Sequence, residues 1–378
     1  MKYDWTKQNL LNDAKELEKL IIEESDFNKQ IYLRKMYDAL NYHIYTSYYS
    51  GPDINVSRKD LRNTSLFELC ANVNAFARYY SLVEKFYSNL FFLNEKKYDP
   101  DSHLERCTSP YLPHEDVMTL VKEFYMSIPD DEIRNVFKSI YDKRYSSYKF
   151  GNIEEYVDND DAYTIFVGGL NKNYMSVHNV SGARKFINTV HETGHAITNI
   201  MNPALAVYGD NYFFDEVQSY FFEILALKTF RSEKLNVKEL AILLFSNLKC
   251  FFDISSMLVS QQCIAKVAAE NNYKYDRNFY DLLKNDYLIN KRLLSNILDV
   301  KFTGEVSYPL GFSVALKLVN IYLDNPKEGI ELLKKTIMNP LKQDDIQYTL
   351  SIIDPFDGLE RAGKEITLNY KKVIRRKK

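Results

Sequence analysis

Apolar side chains recur at three- and four-residue spacing along most of this chain, which is the period that places them on one face of an α-helix. In the first half, the spacing predicts helices over residues 9–24, 29–48, 58–93, 115–128 and 131–148. In the second half, it predicts helices over residues 237–271, 280–298, 306–323 and 327–338. The pattern therefore predicts a mainly α-helical protein.

One segment departs from the helical pattern. Residues 162–169 form a run of β-branched and aromatic side chains that ends in two glycines, and an acidic turn precedes it. Such a run is typical of a β-strand. Residues 175–178 are a candidate partner strand, so we expect a small β-sheet within the helical fold.

Length and composition favour a folded protein with a large core. The 378 residues are enough for more than one domain, and we predict two lobes, one over residues 1–150 and one over residues 151–378. The net charge of -2 and the hydrophobic fraction of 46% argue against disorder and against a nucleic-acid partner.

The cysteines and the N-terminus bear on location. The four cysteines show no Cys-x-x-Cys spacing and are too few for a disulfide scaffold, so we expect reduced thiols. Residues 1–8 lack an apolar signal core, and the sequence shows no run of about 18 apolar residues that could span a bilayer. These observations predict a cytoplasmic location and no membrane span, and they leave the oligomeric state open.

The segment with the clearest chemistry is His191-Glu192-Thr193-Gly194-His195. Residues 184–190 lead into it with apolar positions at helical spacing, so we expect it to lie on a helix. Residues four apart share a helix face, so His191 and His195 can bind one metal ion, with Glu192 beside an open coordination position. This is the arrangement of a hydrolytic zinc site, in which the carboxylate is the general base. We therefore predict one zinc ion per chain.

A second segment, Glu216-Val217-Gln218-Ser219-Tyr220-Phe221-Phe222-Glu223, follows the motif. The two segments together resemble the thimet oligopeptidase and oligoendopeptidase F family of zinc peptidases. The resemblance implies that Glu216 is the third zinc ligand and that Glu223, about two helical turns later, orients a ligand imidazole. It also implies a neurolysin-like zincin fold of two helical lobes, with a small sheet beside the metal helix, a deep cleft and a shortened N-terminal half.

The resemblance extends to the segment Glu305-Val306-Ser307-Tyr308-Pro309-Leu310-Gly311-Phe312. It implies that Tyr308 donates to the oxyanion that forms during peptide hydrolysis. The same segment is similar to the carboxypeptidase Taq family, which usually has a histidine at the position of Gly311 and an arginine at that of Tyr220. The chain departs from the oligopeptidases at Thr198, where they commonly have another histidine, and at residues 302–305, where they have a Gly-Tyr loop.

Substrate contacts are also implied. In zinc peptidases of this kind, a strand beside the metal helix can pair with the substrate main chain, which would place Phe166, Gly168 and Gly169 next to the peptide. A small structural hairpin is the alternative for this strand. His178 is either a further substrate contact or a surface residue.

Three functional hypotheses follow from these residues and from the resemblance. The first is a zinc metalloendopeptidase that hydrolyses peptides in a cleft, and the second is a metallocarboxypeptidase. The third is a non-catalytic peptide-binding or peptide-maturation partner that retains a structural zinc ion. The first is favoured, because the arginine and histidine of the carboxypeptidases are missing.

Overall fold

Helices make up most of the structure, a computed structural model that describes residues 7–48, 58–94, 99–107, 109–151, 162–167, 170–178, 182–203, 214–300, 305–338 and 345–375. The helices before the sheet are α1 (Lys7–Glu23), α2 (Phe27–Tyr48), α3 (Arg58–Ala75), α4 (Ala77–Leu90), α5 (Pro100–Leu104), α6 (His114–Ser127), α7 (Asp131–Asp142) and α8 (Arg144–Ser147). Those after it are α9 (Gly182–Met201), α10 (Val217–Thr229), α11 (Val237–Glu270), α12 (Arg277–Tyr287), α13 (Lys291–Asp299), α14 (Ser307–Asp324), α15 (Pro326–Ile337), α16 (Asp345–Ile352) and α17 (Leu359–Arg375). The prediction of a mainly helical protein is confirmed.

The helix predicted over residues 58–93 is interrupted at Phe76, between α3 and α4. The backbone of Phe76 has φ −115° and ψ 26°, outside the helical region. Val73 and Tyr80, on either side of the interruption, are both buried in the same hydrophobic core. The change of direction lets both helices bury an apolar face, which the spacing of apolar residues alone does not reveal.

The helix predicted over residues 131–148 is wrong at its C-terminal end. Helix α7 ends at Asp142, and after the short α8 the chain enters strand β1 (Tyr148–Gly151). Tyr148 is fully buried, and its hydroxyl lies 2.9 Å from the hydroxyl of Thr193. Packing of this tyrosine against α9 outweighs the local helical pattern.

The three strands form one sheet in the order β1-β3-β2, with β2 at Ala162–Val167 and β3 at Lys172–His178. Strand β3 pairs in parallel with β1 and antiparallel with β2, so that β2 lies at an edge of the sheet as far as the described residues show. The predicted strand and its partner are confirmed where the structure describes them. Gly168 and Gly169 lie outside the described residues.

The two faces of the sheet contact different helices. Val167 and Tyr174 pack with buried side chains of α1 and α2, and the Lys172 ammonium forms an ion pair of 2.7 Å with Asp13 of α1. On the opposite face, Met175 and Val177 belong to the larger core, to which α9 also contributes. The edge strand β2 is therefore held directly beside α9.

The larger core draws side chains from both halves of the chain. It runs from Leu66 in α3 to Tyr370 in α17, and it includes nearly every apolar residue of α10 and α14. Helix α10 packs between α9 and α14, which places its residues at the centre of the protein. The division into lobes over residues 1–150 and 151–378 stays a prediction.

Helix α11 is long and apolar enough, by length and composition alone, to cross a membrane. Within the structure it packs against α3, α4 and α17. The central helix of a folded core passes the same test of length and composition, and the contacts of α11 are those of such a helix.

Candidate active site

His191 and His195 lie on α9, which packs very closely against α10. A Cβ atom at Gly194 would lie 2.8 Å from the Cα atom of Ser219, so only glycine permits this approach of the two helices. A Cβ atom at Gly311 of α14 would likewise lie 2.8 Å from the Cβ atom of Glu216. These two glycines allow α9 and α14 to enclose the beginning of α10, where Glu216 stands.

The three predicted metal ligands converge. The Nε2 atoms of His191 and His195 are 3.2 Å apart, and Oε2 of Glu216 lies 3.2 Å from the first and 3.5 Å from the second. Ligands of a tetrahedral zinc ion with bond lengths of about 2.0–2.1 Å stand about 3.3–3.4 Å from one another. The donor set therefore fits one zinc ion, since its atoms already have the mutual spacing of a tetrahedral site.

The other ring nitrogen of His191 is also engaged. Its Nδ1 lies 2.7 Å from Oε2 of Glu223, and the second oxygen of Glu223 accepts a hydrogen bond from the side-chain amide of Asn247 on α11. The edge of the Tyr220 ring packs on the imidazole, with ring centroids 4.9 Å apart. These contacts orient the ring so that Nε2 faces His195 and Glu216, as expected when a carboxylate sets the tautomer of a ligand histidine.

Charge in the cluster is balanced among buried groups. Burial alone would lower the pKa of His191, but hydrogen bonds to Glu216 and Glu223 raise it well above its usual value. Burial would raise the pKa of Glu216, yet the two imidazoles hold it well below its usual range. Glu216 thus stays ionised, which is the form in which a carboxylate can bind a metal ion.

Glu192 is buried beside the predicted metal ligands, and its side chain is hydrogen-bonded to the edge strand β2. The hydroxyl of Thr164 on β2 donates to Oε2 of Glu192 at 2.5 Å, and it also lies 3.1 Å from the main-chain oxygen of Glu192. Burial raises the pKa of Glu192, while the two imidazoles and this hydrogen bond lower it in part. Glu192 therefore holds a proton more readily than an exposed glutamate does.

Tyr308 lies near the predicted metal ligands, with the ring of Tyr220 between it and His191. It stands in the first turn of α14, is partly buried, and stacks on Phe251 with ring centroids 6.3 Å apart and planes 4° from parallel. Its ring centroid is 6.5 Å from that of Tyr220, whose ring contacts His191. The structure thus brings Tyr308 to the same end of α10 as the metal ligands.

The predicted substrate contacts are only partly described. Phe166 is buried on β2, two residues after Thr164 and therefore on the same face of the strand. His178 is the last residue of β3, and its side chain, like Gly168 and Gly169, lies outside the described part of the structure. The roles of these residues stay predictions.

Sequence reasoning missed Thr164 and Asn247. A signal existed for Thr164, because it is the polar residue in the strand predicted beside the metal helix, and alternate residues of a strand share a face. Asn247 is an ordinary polar position in a long helix, and only the packing of α10 on α11 reveals its contact with Glu223.

Comparisons with known proteins bear on the fold. No protein-family model matches the chain, and no curated protein matches it in sequence. Among solved structures, the chain is similar to a candidate peptidase from Chlamydophila abortus, with a TM-score of 0.50 and 15% identity over 97% of this chain and 63% of that one. It is also similar to a candidate oligoendopeptidase F from Bacillus anthracis str. Ames, with a TM-score of 0.47 and 14% identity over 99% of this chain and 62% of that one.

At these identities, the likeness to the first structure shows the fold. It confirms the mainly helical fold class that the sequence predicts. The chain spans less than two thirds of the length of either solved structure.

Proposed function

We propose that this chain is a zinc-dependent metallopeptidase that cleaves within peptides. The observation that carries the proposal is the convergence of His191, His195 and Glu216 at the mutual spacing of zinc ligands. Glu192, a buried carboxylate on the same helix, stands beside them. A structural zinc site has no need of a general base next to its ligands, so the donor set favours catalysis over the non-catalytic alternative.

The roles of the residues follow from their contacts. When bound by His191, His195 and Glu216, zinc would supply Lewis-acid chemistry that acidifies water and polarises a carbonyl group. Glu192 would accept the proton of the attacking water and deliver it to the leaving amine. Its Oε2 is held by Thr164, and among the described residues its Oε1 has no hydrogen bond and is available for the proton.

Substrate would lie along the edge strand. Among the described residues β2 has one neighbouring strand, β3, so its opposite edge can pair with an extended peptide. Thr164 joins this strand to Glu192, which would bring a peptide bound there next to the general base. This arrangement supports the pairing that we predict from the sequence.

The structure favours an endopeptidase over a carboxypeptidase. The carboxypeptidase resemblance calls for a histidine at position 311, where any side chain would collide with Glu216. It also calls for an arginine at position 220, where the ring of Tyr220 packs on His191. At these two positions the chain therefore lacks the histidine and the cation that the carboxypeptidase resemblance requires.

The proposed function is tested by cleavage of a mixed peptide library, read by mass spectrometry, with added zinc and with a chelator. We expect zinc-dependent cuts inside peptides, and equal cleavage of each peptide when its C-terminus is amidated. Cleavage that requires a free C-terminus would indicate the carboxypeptidase. Stoichiometric zinc without turnover of any peptide would contradict catalysis.

The role proposed for Tyr308 leads to a first prediction. Tyr308→Phe removes the hydroxyl and keeps the ring, so it should lower kcat by about 10²-fold with little change in KM, as for the loss of a transition-state donor. Steady-state kinetics on a peptide found in the library would measure both values.

A control lies on the same helix. Tyr322→Phe removes a hydroxyl near the other end of α14, where the ring packs on Phe221, and should leave both values unchanged. If Tyr308→Phe raises KM and leaves kcat intact, Tyr308 contacts the bound substrate and does not donate to the transition state.

The hydrogen bond from Thr164 leads to a second prediction. Thr164→Val keeps the shape of the side chain and removes the donor, so Glu192 should lose its orientation and kcat should fall about tenfold at constant KM. Thr164→Ser keeps the hydroxyl and should retain most of the activity of the parent. Bound zinc, measured by atomic emission, should be the same in all three proteins.

The control is Thr367→Val, which removes a buried hydroxyl that donates to the Gly363 carbonyl of α17. It should leave kcat unchanged. If kcat falls equally in Thr164→Val and Thr164→Ser, the fall does not come from the missing hydroxyl. Thr164 would then not be a positioning residue.

A further inference from the structure

A cavity of about 580 Å³ lies at the far end of α10 from the metal ligands. Its walls are the C-terminal end of α10, the first turns of α11, the end of α14 and one face of α17. Lys228, which lines it, is 12 residues after Glu216, and a helix of that length spans about 18 Å. The cavity has the size of a small-molecule site, since such sites usually enclose about 300–1,000 Å³.

The cavity is lined by more cations than anions. Glu365 is the carboxylate among the lining residues, and its ion-pair partner is the exposed Arg361 outside the cavity. Against it stand four basic residues, Lys228, Arg231, Lys238 and Lys372. In the part of the chain that the structure describes, none of these four lies within ion-pair distance of a carboxylate. An anion would therefore meet a surplus of uncompensated positive charge.

Lys228 is the cation set deepest in the cavity wall. It is partly buried, and its ammonium group donates to the side-chain oxygen of Asn320 at 2.8 Å, which is a neutral partner. Burial lowers its pKa, and the negative charge of Glu365 opposes this only in part. A partly desolvated ammonium gains most from an ionic partner that reaches it through the cavity.

One helix end at the cavity carries its own cation. The guanidinium of Arg231 donates to the main-chain oxygens of Phe230 and Lys228 at 2.6 and 2.8 Å, which covers the negative end of α10. The first turn of α11 also lines the cavity, and its N-terminal end is capped by Asn236, whose side-chain oxygen accepts a hydrogen bond from the main-chain N–H of Lys238 at 3.0 Å. The positive potential of the cavity therefore comes from the basic side chains that line it.

The floor of the cavity is apolar. Leu227, Leu244 and Ile366 contribute buried side chains, and Val237 and Leu323 at its margin are half-exposed to solvent. A simple inorganic anion would leave this apolar surface exposed to water, whereas a ligand with an apolar body would bury it. The lining thus offers both positive charge and apolar surface, which suit a ligand that carries an anionic group on an apolar body.

We propose that this cavity binds an amphipathic carboxylate, that is, one carboxylate group joined to an apolar chain or ring. The carboxylate lies against Lys228 and the other lining cations, and the apolar body lies on Leu227, Leu244 and Ile366. A fatty acid and the C-terminal residue of an apolar peptide share this chemistry. The site is separate from the metal ligands and does not depend on the peptidase activity.

The test is isothermal titration calorimetry of the full-length chain with decanoate below its micelle concentration. Decanol and inorganic phosphate serve as probes of the apolar and anionic halves of the ligand, and N-acetyl-leucine represents the peptide source. We expect one decanoate per chain, with weaker binding of decanol and of phosphate. If decanol binds as tightly as decanoate, or if decanoate does not bind, the proposal is wrong.

Variants locate the site. Lys228→Met removes the deep cation and should weaken decanoate binding about tenfold, and Lys372→Met, at an exposed position, should weaken it less. Glu365→Gln removes the opposing carboxylate and should tighten binding. Lys266→Met, on the exposed side of α11, is the matched control and should leave binding unchanged. Unchanged binding in both Lys228→Met and Lys372→Met would place the ligand elsewhere and overturn the assignment.

Discussion

Glu192→Gln should lower kcat by about 10²- to 10⁴-fold while the chain keeps its zinc, because the amide cannot accept the proton of the attacking water. The amide has nearly the shape of the carboxylate and can still accept the hydrogen bond of Thr164. The ligand atoms of His191, His195 and Glu216 are untouched. Peptide cleavage assays and metal analysis on the same preparation would measure both quantities.

Thermal unfolding and one control variant distinguish loss of the general base from loss of the fold. Thermal unfolding of zinc-loaded Glu192→Gln should occur at the temperature of the parent, or slightly above it, since a buried carboxylate becomes neutral. Glu68→Gln changes an exposed carboxylate on α3 and should leave both activity and unfolding unaltered. Near-normal turnover by zinc-loaded Glu192→Gln would show that another group takes the proton.

Glu216→Ala and Glu223→Ala should differ sharply in metal affinity. Glu216 supplies one of the three converging ligand atoms, so its loss leaves two imidazoles and should abolish stoichiometric zinc binding at micromolar metal. Glu223 contacts Nδ1 of His191 and none of the three converging atoms, so its loss should weaken zinc binding by about 10- to 100-fold. Competition with a chromophoric chelator would measure both affinities.

Asn247→Ala gives a graded control for this pair. It leaves Glu223 in place but removes the amide that holds its second oxygen, so zinc should bind more weakly than in the parent and more tightly than in Glu223→Ala. Equal zinc affinity in Glu216→Ala and Glu223→Ala would mean that the third ligand is a different residue.

Much of the fold could be predicted from apolar spacing, because helices with one buried face dominate the chain. The errors lie where distant contacts override a local pattern. Tyr148 continues a helical pattern but is drawn into a strand, because its side chain reaches Thr193 and is fully buried. Phe76 sits within a continuous apolar pattern, yet the chain changes direction there so that both flanking helices face one core.

The histidine pair could be predicted from local spacing, whereas Glu216 was predicted from the resemblance to a peptidase family. The two histidines are four positions apart, and this places them on one face of α9 wherever the helix lies. The residues that orient the site belong to other elements, Thr164 to the sheet and Asn247 to α11. Their contacts depend on how helices and strands pack, and no spacing within the chain encodes that packing.

Recognition of related sequences is affected by Gly194 and Gly311. A search pattern made only of the two histidines and the three glutamates would accept chains in which a larger residue replaces either glycine. In such chains the added Cβ atom would displace Ser219 or Glu216, and the donor atoms could no longer meet although each is still encoded. A pattern that also requires both glycines would distinguish chains that keep the geometry of this site from chains that keep only its histidines and glutamates.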